Sequence, residues 1–173
     1  GRIAHGAVKA GDTIEVLPSR QTAVVAEVRL AGETVASAEA GDSAGLVLDR
    51  QLDVSRGDWI VTPGSASQTK TFPATLAWLD TEAAKPGRKY WVRHGNRWVQ
   101  ARISAIDSVL DINTLQPQDA HELPVNTIGR VQMEVQHELP VEPFRDNRVG
   151  GALIVVDPAS HRTSGALLVD VQP

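Results

Sequence analysis

The chain is 173 residues long, 42% apolar, with a formal net charge of −4. That balance offers no overall basic surface to a nucleic acid or an anionic membrane, and the absence of cysteine removes disulfides and thiolate metal sites. No apolar run reaches the roughly 18 residues of a membrane-spanning helix, and the first residues lack a basic-then-apolar leader, so a soluble, cytoplasmic protein is expected.

Short period-2 segments recur between Gly, Pro and Asp turns. Gly-Asp pairs at 11–12 and 41–42 each stand directly before a β-rich run, and Ser55-Arg-Gly-Asp58 before a third. Thr13–Leu17 alternates, with Ile14 and Val16 on one face, and residues 22–30 continue in a valine-rich style. Gly32-Glu33 predicts a turn into a short strand over 34–36, and strands are expected over 44–48 and 58–62. Gly57 is expected at positive φ in the turn before the last of these, with Arg56 able to reach Asp53.

The small, polar run 63–70 predicts a domain boundary. Beyond it longer strands are expected over 72–79, 89–93, 98–110 and 125–135. His94-Gly-Asn-Arg97 should be a tight hairpin connection, its Gly-Asn pair suited to positive φ. In 98–110 Val99, Ala101, Ile103 and Ala105 face one way, and Gln100, Arg102 and Ser104 the other. Residues 116–123 hold the one expected helical turn. In 125–135 Ile128 and Val131 are read as the apolar face. Strands over 152–156 and 164–171 close the chain, joined by 157–162. Strands at this spacing argue for barrels or sandwiches rather than a βαβ layout.

This succession resembles the second and third domains of the translation-factor GTPase superfamily. Residues Asp53-Val-Ser-Arg-Gly-Asp58, Asp111-Ile-Asn-Thr-Leu115 and Asn147-Arg-Val-Gly-Gly-Ala-Leu-Ile-Val-Val-Asp157 resemble the large, GTP-binding subunit of bacterial sulfate adenylyltransferase more than elongation factor Tu. The resemblance implies an all-β fold of two small antiparallel barrels of the elongation factor Tu domain 2 and domain 3 type. They would occupy 1–63 and 71–173, with a linker at 64–70. It implies the non-catalytic part of an enzyme that makes adenosine 5′-phosphosulfate from ATP and sulfate, driven by GTP hydrolysis. The implied partners are the GTPase domain, which holds GTP and Mg, and a small catalytic subunit. Some members also carry an adenylylsulfate kinase. A translation-type GTPase whose barrels bind tRNA, and a free-standing binding module, are the rivals. The sequence contains neither Gly-x-x-x-x-Gly-Lys-Ser/Thr nor Asn-Lys-x-Asp, so no GTP-site residue is assigned. Members of the family usually have a further strand or two ahead of the position of Gly1, so the first barrel is expected to have an open edge, with 1–8 frayed or paired to another chain.

No catalytic, cofactor-binding or metal residue is assigned. His5, His94, His121, His137 and His161 are too far apart in sequence for a local ligand pair. Asp107 and Asp111 are expected to cap turns rather than to act as an acid–base pair. Gly150-Gly151 reads as a tight strand entry, since no helix follows to make it a phosphate cradle. Trp91 and Trp98, amid Arg88, Arg93, Arg97 and Arg102, suit either cross-strand aromatic–arginine pairing or a nucleic-acid stacking platform. The first is preferred.

Overall fold

The computed structural model describes residues 1–111, 114 and 116–170. Ile112, Asn113, Leu115 and Val171, which carry part of the sequence reading, lie outside the described residues. Every regular element among those described is a β-strand. The chain forms two compact units, Gly1–Ser67 and Gln68–Pro173.

The first unit contains β1 (Ala7–Lys9), β2 (Thr13–Leu17), β3 (Gln21–Leu30), β4 (Glu33–Val35), β5 (Ser37–Glu39), β6 (Ala44–Leu48) and β7 (Trp59–Val61). β3 is long enough to serve two sets of neighbours. Its first half pairs with β2, which also pairs with β7, and its second half pairs with β4 and β6. β1 and β5 make a separate antiparallel ribbon. Ile14, Val16, Ala23, Val25, Val28, Ala38 and Ala44 form the common core, with Ile3 and Val8 packed against it.

One turn is used three times. At Lys9–Asp12, Glu39–Asp42 and Ser55–Asp58 the third residue is a glycine with φ of 91°, 102° and 99°. In each the aspartate N–H donates to the carbonyl three residues earlier, at 3.0–3.2 Å. Its carboxylate in turn accepts the N–H of that same residue, at 2.8–2.9 Å. The side chain thus closes the turn that the glycine permits, which is why the pair Gly-Asp recurs ahead of strands. Gly41→Ala is expected to destabilise this unit by about 1–2 kcal/mol, the cost of a Cβ in the left-handed region. Urea unfolding and amide exchange over β5 and β6 measure it.

The fraying expected over residues 1–8 is not found, although β1 pairs only with β5. Arg2 bridges Ser43, Ile3 N–H donates to the Asp42 carbonyl (2.9 Å), and Ala44 N–H donates to the Gly1 carbonyl (2.8 Å). The Gly41 turn folds the chain back onto its own first residues. The turn expected at Gly32-Glu33 lies one residue earlier: Ala31 (φ 49°) and Gly32 (φ 92°) form a two-residue connection and β4 starts at Glu33. Glu15 is only 7% exposed; its carboxylate accepts the Gly64 N–H (3.2 Å) and lies 3.7 Å from Arg20.

The second unit contains β8 (Thr69–Trp78), β9 (Lys89–His94), β10 (Arg97–Leu110), β11 (Pro117–Gln118), β12 (Thr127–Leu139), β13 (Ala152–Val156) and β14 (Thr163–Val169). Antiparallel ladders run β10-β12-β8-β14-β13-β9, and β9 pairs back to β10, closing a six-stranded barrel with no free edge among these strands. Alternate residues fill its interior, among them Leu76, Trp78, Tyr90, Val92, Ile103, Met133, Val155 and Leu167. Thr69 and Lys70, expected in a linker, are the first residues of β8.

Three further expectations are corrected here. The alternation of β10 holds through Ile103 and then changes phase, because register shifts fall after Ile103 and after Ile106. Ile106 and Val109 then pack on the core while Ala105 is only half-buried. On β12 Ile128 is 40% exposed, and Gly129 takes the inward place beside Leu123. The helical turn expected over 116–123 is extended instead. Leu123 is fully buried and exchanges two hydrogen bonds of 2.9 Å with Ala84, which requires strand-like backbone, and Pro117–Gln118 pairs with the end of β10.

Candidate functional site

A set of linked ionisable groups lies where β8 ends and β14 begins. Asp80 follows β8 and accepts a hydrogen bond from the buried Ser164 hydroxyl (2.8 Å). Arg88, just before β9, donates to Glu82 and to Asp157 (3.2 Å), and its guanidinium lies 5.4 Å from the centre of the Tyr90 ring. Asp157 caps the β13–β14 connection by accepting the N–H groups of Ser160 (2.7 Å) and Ala159 (3.2 Å) and the Ser160 hydroxyl (2.8 Å). Trp78 donates to the Glu82 carbonyl (2.7 Å) and meets Tyr90 edge to face at 5.5 Å.

These contacts fix the protonation states. The Ser164 hydroxyl holds Asp80 below the usual carboxylate range, and the Ser160 N–H does the same for Asp157. Burial pushes the Tyr90 phenol upward, while Glu82 raises Arg88 further. Both carboxylates are therefore poor proton carriers near neutrality. Ser164 faces a weak base, so the group ties the 79–88 loop to the β13–β14 connection instead of activating a nucleophile.

The residues weighed from sequence are dispersed. Among the described residues no three His, Asp or Glu side chains could hold a metal ion. Asp107 accepts from Gln132 (2.7 Å), whereas Asp111 accepts from the Thr114 N–H (3.2 Å) and from Gln118 (2.9 Å), so each serves its own turn or ladder. Gly151 is a tight entry as expected, with the backbone of Glu142 and Phe144 against it.

His94 alone of the histidines is fully buried, its Nε2 2.9 Å from the Gly150 carbonyl. Burial lowers its pKa, outweighing the carbonyl and Glu142, which favour the charged form. The unfolded chain therefore takes up this proton first as pH falls. Stability should drop below about pH 6.5, by up to about 1.4 kcal/mol per pH unit. His94→Gln is expected to flatten that slope in urea unfolding compared between about pH 7.5 and about pH 5.5.

The hairpin joining β9 and β10 turns on Gly95 (φ 58°), and the pair Trp98–Arg93 faces outward across it. The Arg93 guanidinium lies 5.8 Å from the Trp98 ring centre, and its Nε donates to the Gly95 carbonyl (2.9 Å). The aromatic–arginine pairing expected from sequence is thus present. Following the ladders from Arg93 gives a row that sequence alone did not reveal. Arg93 pairs with Ile154, Ile154 with Ala166, Ala166 with Ala77, and Ala77 with Ile128. Directly paired residues share a face, so the row from Trp98 to Ile128 runs along the outside of the barrel. It is drawn from all six strands, and the exposure of Ile128 and Ile154 is its one local sign.

Residues 71–170 match the GTP-eEF1A C-terminal domain-like family. The chain is 34% identical over 171 residues to sulfate adenylyltransferase subunit 1 of Colwellia psychrerythraea, covering 98% of this chain and 37% of that protein. It is 37% identical over 164 residues to the protein of the same name from Rhizobium meliloti, covering 94% and 33%. It is also 34% identical over 170 residues to the bifunctional enzyme CysN/CysC of Rhodopirellula baltica, covering 98% and 26%. The chain spans about a third of the length of these curated relatives. Among solved structures, Sup35 complexed with GDP has a like fold, with a TM-score of 0.88 at 20% identity over 100% of this chain and 43% of that one.

Proposed function

This chain belongs to the GTP-eEF1A C-terminal domain-like family, and on that premise we propose that it is the barrel region of the large, GTP-binding subunit of a sulfate adenylyltransferase. The observation that carries the reading is identity of 34% and 37% to sulfate adenylyltransferase subunit 1, running through both units over 98% and 94% of the chain. The all-β, elongation-factor type of fold accords with it.

In this reading the parent enzyme joins ATP and sulfate into adenosine 5′-phosphosulfate and diphosphate, driven by GTP hydrolysis, in the cytoplasm. GTP and Mg belong to its GTPase domain, and adenylyl transfer belongs to the small subunit. No residue of this chain is assigned to either nucleotide, since the sequence contains no phosphate-binding loop. The two units, Gly1–Ser67 and Gln68–Pro173, scaffold the small subunit and pass the nucleotide state to it. A non-catalytic role is supported by Asp80 and Asp157, whose carboxylates are held below the usual range by their hydrogen bonds to Ser164 and Ser160.

Barrels that bind tRNA are the second reading, and the Arg93–Trp98 stack is what favours it. Against it, Arg102 is paired to Glu134 (2.8 Å), and Arg88 to both Glu82 and Asp157, which removes two cations from any phosphate-binding track. The test is a chimera in which this chain replaces the matching segment of the Rhizobium meliloti subunit 1, co-expressed with the small subunit. Recovery of GTP-stimulated adenosine phosphosulfate formation is expected. A folded chimera that binds GTP yet gives no stimulation would falsify the reading, as would saturable micromolar GTP binding by the isolated chain.

A further inference from the structure

The end of the second barrel where β8 stops and β14 starts holds a hydroxyl that no other described residue satisfies. Tyr90 is 1% exposed and belongs to the core, its ring edge to face with Trp78. Its Oη is fully buried and makes no hydrogen bond to any of the described residues. A buried hydroxyl without a partner is costly, and in folded proteins most such groups are bonded to protein or to ordered water.

The groups around that hydroxyl have hydrogen-bonding capacity to spare. Burial raises the Tyr90 phenol, Arg88 partly offsets this, and Asp80, Glu82 and Asp157 add to it, so all four lie within electrostatic reach of Oη. Asp80 and Asp157 also reach each other: the Ser164 hydroxyl lowers Asp80 most, and the charge of Asp157 opposes it. A carboxylate oxygen can accept two hydrogen bonds. Among the described residues Asp80 Oδ2 accepts only the Ser164 hydroxyl, and Asp157 Oδ1 only the Arg88 guanidinium. One spare donor and two spare acceptors therefore lie at the same closed end of the barrel without meeting directly.

A water molecule matches that set, since it can accept from the phenol and donate to two carboxylates. Three hydrogen bonds are typical of a buried water, and globular proteins hold about one for every 27 residues. A metal ion does not match, because among the described residues no three His, Asp or Glu side chains could hold one. A cation would also leave the phenol proton without an acceptor.

We infer that this end of the second barrel binds an ordered internal water, which accepts from the Tyr90 hydroxyl and donates to the Asp80 and Asp157 carboxylates. The 79–88 loop, already held to Ser164, Asp157 and Trp78, is fastened to the barrel core once more through this water. The inference is independent of the function proposed above.

The test is urea unfolding of the full chain and of Tyr90→Phe, which keeps the ring against Trp78 and Arg88 and removes only the hydroxyl. With the water in place, the variant loses one satisfied hydrogen bond and its urea midpoint should fall by about 0.5 M. If the hydroxyl were dry, its removal would relieve a buried unpaired group, and the midpoint would rise. An unchanged or raised midpoint therefore overturns the inference. A second measurement needs no variant: water–protein cross-relaxation in the NMR spectrum of the unaltered chain should show a long-lived water beside Tyr90, and its absence would overturn the inference by itself. A midpoint raised by potassium over choline at equal ionic strength, in the unaltered chain but not in Tyr90→Phe, would make the occupant a monovalent cation and overturn the choice of water.

Discussion

Gly151→Ala should destabilise the second barrel by roughly 3–5 kcal/mol, near the upper end of what one substitution does. An ideal Cβ at this position would stand 2.4 Å from the Phe144 Cα, 2.5 Å from the Phe144 N and 2.6 Å from the Glu142 carbonyl oxygen. All three are backbone atoms, so no rotamer change relieves the overlap. The chain from 142 to 151 would have to lift away from the start of β13. That movement threatens the bonds from Gly151 N–H to the Asn147 carbonyl (2.8 Å), from Val169 N–H to the Gly151 carbonyl (2.8 Å) and from Phe144 N–H to the Val169 carbonyl (3.0 Å). Each contributes about 1 kcal/mol net, and more where a buried group is left unpaired. Urea unfolding followed by tryptophan fluorescence checks this. A midpoint within 1 kcal/mol of the unaltered protein would mean that the close approach of the 142–144 backbone does not exist in solution.

Trp78→Ala should cost about 3–5 kcal/mol. The side chain is 1% exposed, so its loss opens a large void in the barrel interior. It also removes the edge-to-face contact with Tyr90 and leaves the Glu82 carbonyl without the indole donor. Trp78→Phe separates these contributions, since it keeps a ring against Tyr90 while losing the hydrogen bond, and should cost only about 1–2 kcal/mol. The indole also anchors the 79–88 loop, so both variants should raise amide exchange at Glu82 more than at Ile103. Uniform loss of protection across the barrel, with no excess in the loop, would show that Trp78 acts through volume alone.

Much of the fold was legible in the sequence because its cause is local. A strand with one buried face repeats every two residues, and Thr13–Leu17 and Ala152–Val156 were found with the bounds the structure gives them. A turn that needs positive φ selects glycine, so Gly57 could be placed there from Ser-Arg-Gly-Asp, and the φ of 99° agrees. The cross-strand Arg93–Trp98 pair followed from a two-residue hairpin.

What the sequence by itself determined was therefore the strands, most of their turns and the family likeness; what the tertiary structure decided were relations between distant segments. Pairing of β9 with both β10 and β13 closes the second barrel, and no local pattern specifies that closure. Register shifts after Ile103 and Ile106 reversed the phase of β10, an effect visible only against its partner β12. Ile128 reads as an apolar-face residue, yet Gly129 takes the inward place on β12. The outer row has the same origin, since its members lie between 77 and 166 in sequence and become neighbours only through the closed ladders. Periodicity fixes which residues of one strand share a face, whereas pairing between strands fixes which faces are joined, and the second depends on contacts that close only when the whole barrel forms.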